Sequence, residues 1–146
     1  MKATKYLVAA VAGLAVVTST LLTSPPAHAA KGHCPNGATC LWRDTSAETN
    51  GNGAAHVSFQ RYIPNLGQWK YKGTNYSAND SATSFFNNGQ ARPPYSNVYL
   101  FKGANGSGPS WKVNKGEYYW NLALQTATWN DTISSGYYMN WSPNVG

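Results

Sequence analysis

One polar pattern of six residues, Asn-Asp-x-x-Ser/Thr-Ser, occurs twice in the chain. The first hexamer runs from Asn79 to Ser84 and the second from Asn130 to Ser135. Each offers one carboxylate and several hydroxyl groups, and oxygen donors on flexible loops suit Ca²⁺ better than a transition metal. The duplication therefore predicts a two-fold internal repeat with a pair of cation sites.

A structural use of the same residues competes with metal binding. Asn, Asp, Ser and Thr side chains also bond to nearby backbone groups and fix tight turns without any metal. Each prospective site holds a single carboxylate, Asp80 or Asp131, with no other acid close by in sequence. We therefore expect a weak site, with a Kd of about 10⁻⁴ to 10⁻³ M, and the sequence leaves both uses open.

Short β-strands are the elements that must position the two hexamers. Asn-Gly, a dipeptide that favours tight hairpin turns, occurs five times. Between these turns lie short runs rich in aromatic and β-branched residues, and no useful helical periodicity follows residue 30. Many short strands separated by turn signals predict an all-β sandwich or barrel.

The repeat extends beyond the hexamers, and it divides the chain. We expect repeat units at about 38–87 and 96–140, because segment 41–44 aligns with 100–103. A linker at 88–95 separates the units, since its two consecutive prolines cannot lie in a central strand. The first unit is also longer in the middle than the second.

Residues 1–29 carry the features of a secretory signal peptide. Basic residues precede an apolar stretch, and Ala27-His28-Ala29 supplies a small-x-small cleavage pattern. We expect cleavage after Ala29 and secretion of a single domain, 30–146, that is monomeric and has no membrane segment.

Export also favours a disulfide between Cys34 and Cys40, because 35–37 is a turn sequence between them. A loop this short would contribute about 2 kcal/mol to stability. A redox or metal pair is the weaker alternative, since the spacing is not Cys-x-x-Cys and no second pair exists.

Charge and motif content argue against several classes of function. The formal net charge is +6, but the basic residues are scattered, so we expect no nucleic-acid partner. The sequence contains no motif of a serine or zinc hydrolase and no phosphate-binding loop. We therefore expect a protein that is not an enzyme and needs no organic cofactor.

A more specific motif lies at 34–44, where the chain reads Cys-Pro-x-Gly-x-x-Cys-Leu-Trp-x-Asp. Together with Asn-Leu-Gly at 65–67 and the two hexamers, it resembles the secreted actinobacterial metalloproteinase inhibitor family. The resemblance covers about 34–137. It implies a βγ-crystallin-like sandwich of two Greek-key units and an activity against an extracellular metalloproteinase.

The crystallin pattern also implies which residues would form the cation sites. The hexamers should lie side by side at one end of the sandwich, and each site should mix groups from both. Carried over by position, one site pairs Asp80 with Ser135, and the other pairs Asp131 with Ser84.

The inhibitory segment cannot be carried over from the family in the same way. The inhibitor for which the family is named has a second disulfide and a cysteine at its reactive bond, and this chain has no cysteine after Cys40. We expect an extended loop of low conformational entropy at the linker, with a plain stiff connector as the alternative. The candidate residues are Gln90, Ala91, Arg92, Pro93, Pro94, Tyr95 and Ser96.

Three functions follow from the sequence. The first is a secreted peptidase inhibitor directed at metalloproteinases, which rests on the resemblance. The second is a calcium-binding extracellular module with a structural or stress role, which rests on the hexamers. The third is a cell-wall-binding, glycan-binding or antimicrobial effector, which rests on the abundant Trp and Tyr and the positive charge.

Overall fold

The structure is a computed structural model, and it describes residues 31–138. The predicted signal peptide at 1–29 lies outside the described residues. None of the helical segments in the described part of the chain has the length and hydropathy of a membrane span.

Short strands make up most of the regular structure. They are β1 (Ala38–Trp42), β2 (Val57–Phe59), β3 (Tyr62–Ile63), β4 (Ser84–Asn88), β5 (Val98–Phe101), β6 (Ser110–Val113), β7 (Tyr118–Tyr119) and β8 (Ser135–Tyr138). Single helical turns connect them. These are 3₁₀ turns at Thr45–Ala47, Leu66–Gln68, Ala104–Gly106 and Ala127–Trp129, and one α-helical turn, α1, at Leu122–Gln125.

The strands form two four-stranded antiparallel sheets, ordered β2-β1-β4-β7 and β3-β8-β5-β6. Each repeat unit places its third strand in the sheet of the other unit, because β3 pairs with β8 and β7 pairs with β4. This exchange of strands makes two interlocked Greek keys. The predicted all-β fold is therefore confirmed.

The core lies between the sheets, where alternate strand residues point inward. Val98 and Leu100 of β5 are fully buried, whereas their neighbour Tyr99 is only half-buried. Phe85 of β4 and Ile133 of the second hexamer contribute to the same cluster. Burial of this apolar area is the main force that holds the two units together.

A smaller cluster covers the outer face of β1. Trp42 is fully buried there, with Cys34 and Cys40 in the same cluster. The predicted disulfide is present, with the two Cα atoms 5.8 Å apart. The Asn88 side chain donates hydrogen bonds to the carbonyl groups of Cys34 and Pro35. The N-terminal segment is thereby attached to the end of β4.

Candidate cation site at the paired hexamers

The two hexamers lie side by side and are joined by reciprocal backbone bonds. Asp80 N–H donates to Ile133 C=O over 3.2 Å, and Asp131 N–H donates to Ala82 C=O over 3.2 Å. Both aspartates have positive φ angles, 48° and 52°, a conformation that Asp and Asn adopt more readily than most residues. At this end of the molecule the pseudo-two-fold symmetry of the repeat therefore extends to single backbone hydrogen bonds and φ angles.

Each aspartate accepts one hydrogen bond from the opposite hexamer. Ser134 Oγ donates to Asp80 Oδ1 over 2.7 Å, and Thr83 Oγ1 donates to Asp131 Oδ1 over 3.4 Å. The second carboxylate oxygen accepts from the preceding asparagine, since Asn79 Nδ2 lies 2.7 Å from Asp80 Oδ2. Asn130 makes the equivalent bond to Asp131. Carboxylate and hydroxyl oxygens of both units thus converge in pairs.

The last serine of each hexamer has a different role from the one implied by the resemblance. Ser84 Oγ donates to Asp44 C=O over 2.6 Å and accepts from Ala47 N–H. Ser135 Oγ donates to Gly103 C=O over 2.6 Å and accepts from Gly106 N–H. Both serines are fully buried, and each bonds the first loop of its own unit.

The hydroxyl group beside each carboxylate therefore belongs to the fifth hexamer residue, Thr83 or Ser134. The sixth residue starts a strand, and successive strand residues point to opposite faces. If Ser84 and Ser135 point inward to the loops, the residues before them must point outward to the aspartates. The hydroxyl at the fifth position of both hexamers was the sequence signal for this pairing.

Two open clefts flank the aspartates. One has a volume of about 360 Å³ and is lined by Arg43, Asp44, Asp80, Ser81, Thr83 and Asp131. The other has a volume of about 330 Å³ and is lined by Asp80, Lys102, Asp131 and Thr132. Each cleft contains one basic residue, and Arg43 and Lys102 occupy equivalent positions in the repeat. Neither residue was predicted from the sequence to lie at the site.

The oxygen donors at the hexamers suit a hard divalent cation, but the affinity they can provide is low. All the converging side-chain donors are oxygen atoms, which suit Ca²⁺. Among the described residues, however, no group of three or more His, Cys, Asp or Glu is close enough to hold a metal ion. Few carboxylates and open clefts favour the weak extracellular range of affinity.

The linker at the opposite end of the sandwich is a closed turn. Gln90 N–H donates to Tyr95 C=O over 2.9 Å, and Tyr95 N–H donates to Arg92 C=O. Pro93-Pro94 within it is a cis peptide. The extended shape expected for 90–96 is therefore not what the structure has, because hydrogen bonds fold the segment back on itself.

The tip of the linker is accessible. Residues 90–93 are exposed, and 90–92 border a groove of about 660 Å³ that also includes Asn36, Gly37 and Lys115. The base of the linker is fixed, since Asn87 Nδ2 donates to Ser96 C=O over 2.9 Å.

Solved structures with the same architecture were found by comparison. One, from work on the evolution of the eye lens βγ-crystallin domain fold, is 16% identical and has a TM-score of 0.53, covering 75% of this chain and 92% of that one. An archaeal βγ-crystallin is 12% identical with a TM-score of 0.49, covering 72% of this chain and 100% of that one. A βγ-crystallin from Ciona intestinalis is 19% identical with a TM-score of 0.48, covering 70% and 99%.

The class of protein follows from the first of these matches and from the exchanged third strands. The chain has a βγ-crystallin-like Greek-key fold. At these identities the likeness shows the fold alone. No family model and no curated protein sequence matches the chain.

Proposed function

We propose that this protein is a secreted βγ-crystallin-type module that binds calcium weakly at its paired hexamers. The observation that supports the proposal is the contact between a carboxylate of one hexamer and a hydroxyl group of the other, 2.7 Å between Ser134 Oγ and Asp80 Oδ1. Asp80 with Ser134 would form one candidate site, and Asp131 with Thr83 would form the other. A βγ-crystallin-like fold is generally non-enzymatic.

Binding at this position would stabilise the fold. Hydrogen bonds of the hexamers connect the two repeat units, and Leu66 N–H also donates to Ser134 C=O across the unit boundary. Bound Ca²⁺ would offset the charge of the two carboxylates and join the loops. At a hundredfold excess of Ca²⁺ over Kd, binding would raise the free energy of unfolding by roughly 2.7 kcal/mol.

The test is the calcium dependence of the melting temperature. Purified protein is freed of metal with EDTA and titrated with CaCl₂ to 10 mM. We expect Tm to rise in the wild type and to stay constant in the double variant Asp80→Asn, Asp131→Asn. Glu117→Gln is the matched control, because Glu117 bonds to Asn114 in a separate turn. A wild-type Tm that does not respond to calcium would exclude the proposal.

A second candidate is inhibition of an extracellular metalloproteinase. The resemblance at 34–44 and the exposed linker tip at 90–93 favour it. Because the linker is a closed turn, the turn itself would have to enter the protease cleft. Stoichiometric inhibition of a thermolysin-like enzyme, lost on replacing 91–93 by glycine, would support this function. No inhibition at micromolar concentration would exclude it.

A further inference from the structure

We propose that Lys102 is a built-in positive charge at the edge of the second cleft, where it weakens the binding of a metal ion. The protein would then bind calcium in one cleft, the one lined by Arg43 and Asp44, and not in two. The statement about calcium rests on the proposed function, whereas the role of Lys102 can be measured without calcium.

Two contacts place the Lys102 ammonium group beside the second hexamer. Its Nζ donates a hydrogen bond to Thr128 C=O. It also lies 5.1 Å from the ring centroid of Trp129, a geometry that attracts a cation to the aromatic face. Thr128 and Trp129 immediately precede Asn130. The ammonium group is thus held against the segment that precedes the second hexamer, and Lys102 lines the cleft with Asp80 and Asp131.

The backbone of Lys102 is bound to the same hexamer. Ser134 Oγ donates to Lys102 C=O over 2.9 Å and to Asp80 Oδ1 over 2.7 Å. One hydroxyl group therefore connects the lysine backbone to the carboxylate of the opposite hexamer. Lys102 is half-buried, so its charge is screened less than that of a fully exposed lysine.

Arg43, at the equivalent position, is held differently. Its guanidinium carbon lies 4.0 Å from the ring centroid of Tyr76. Tyr76 belongs to a hairpin of the first unit in which Tyr71 N–H donates to Tyr76 C=O. Among the described residues the second unit has no such hairpin, and its basic residue packs against Trp129 beside the hexamer.

The two clefts also differ in acidic residues. Both contain Asp80 and Asp131, but the first also contains Asp44. The equivalent residue of the second unit is Gly103. Counting side chains, the first cleft holds three acids and one base, and the second holds two acids and one base. A cation is therefore attracted less strongly to the second cleft.

The calcium experiment counts sites. Metal-free protein is titrated with CaCl₂ by calorimetry, and Tb³⁺ luminescence excited through tryptophan reports ions close to Trp129. We expect one site in the wild type and a second in Lys102→Gln, with at least about tenfold tighter binding in the second cleft once the positive charge is removed. Lys102→Arg should behave as the wild type.

Lys112→Gln is the matched control. Lys112 is exposed on β6, so this substitution removes the same charge at a position away from the cleft. Two equal sites in the wild type, or equal gains in Lys102→Gln and Lys112→Gln, would overturn the inference. A gain confined to Lys102→Gln would uphold it.

A second measurement needs no calcium. In EDTA, urea unfolding of Lys102→Gln, Asp131→Asn and the double variant gives a double-mutant cycle. We expect a favourable coupling that shrinks as NaCl is raised. Coupling without calcium binding in any variant would uphold the role of Lys102 while the proposed function fails. Absence of coupling would overturn the role of Lys102 whatever calcium does.

Discussion

The two repeat units share one backbone plan but stabilise their first loops by different means. In the first unit the loop after β1 is packed inward, with Ala47 and Thr49 fully buried. In the second unit the 3₁₀ turn Ala104–Gly106 contains no buried residue. The same serine hydrogen bond therefore closes a packed loop in one unit and an open loop in the other.

The difference continues in the middle of the units. The first unit has a hairpin at this point, in which Ala78 N–H donates to Trp69 C=O and the Tyr71 side chain is buried in the core. The second unit has α1 (Leu122–Gln125) and a half-buried Trp129 packed against Trp111, with ring centroids 5.4 Å apart. The two units therefore share a symmetric arrangement of strands, but the first is more deeply packed than the second.

The largest expected effect compares Trp42 with Phe101, its equivalent. Trp42 is fully buried and its Nε1 donates to Gly53 C=O over 2.7 Å, whereas Phe101 is half-buried. We expect Trp42→Ala to lower the free energy of unfolding by about 3–5 kcal/mol and Phe101→Ala by about 1–2 kcal/mol. Urea unfolding followed by circular dichroism measures both, and equal losses would contradict the comparison.

The next effect compares the buried serines. Ser84→Ala leaves Asp44 C=O and Ala47 N–H without their partner inside a packed loop. We expect a loss of about 2–3 kcal/mol, against about 1–2 kcal/mol for Ser135→Ala, whose loop can admit water. Amide hydrogen exchange of the two loops gives the local readout. Faster exchange in the second loop of Ser84→Ala would count against the assignment.

The disulfide is a further asymmetry, since it connects the N-terminal segment to β1 of the first unit. Replacing Cys34 and Cys40 by serine should lower the free energy of unfolding by about 2 kcal/mol, because a short loop is no longer closed in the unfolded chain. Reduction of the wild type should produce the same loss. A much larger loss would mean that the cluster around Trp42 depends on the bridge for its packing.

The smallest effect concerns pH. Burial lowers the pKa of His56 below its usual 6.5, and its ring lies beside Trp42, 5.5 Å between centroids. A pKa that is lower in the folded state favours the neutral form, so stability is fully present above about pH 6.5 and is lost as pH falls through the lowered value. Subtracting the profile of His56→Gln should isolate this slope. Identical profiles would contradict it.

The repeat made much of the fold predictable. Asn65-Leu66 and Asn121-Leu122 align in sequence, and both leucines are fully buried. In each case the asparagine side chain accepts a hydrogen bond from a backbone N–H of the following turn. The linker was harder, because its position followed from two prolines but its folded-back shape depends on hydrogen bonds between Gln90, Arg92 and Tyr95. Such bonds leave no periodic trace in sequence.

Turn dipeptides and internal repetition are local or symmetric properties, so the sequence alone predicted the all-β class and the two repeat units, and it favoured the disulfide. The side-by-side hexamers were implied by the family resemblance. The folded structure was needed to show that Thr83 and Ser134, not Ser84 and Ser135, face the aspartates. It also decided that Arg43 and Lys102 line the clefts. Both outcomes depend on which face of a strand meets which loop, and strand exchange between the sheets fixes that only when the whole chain is folded.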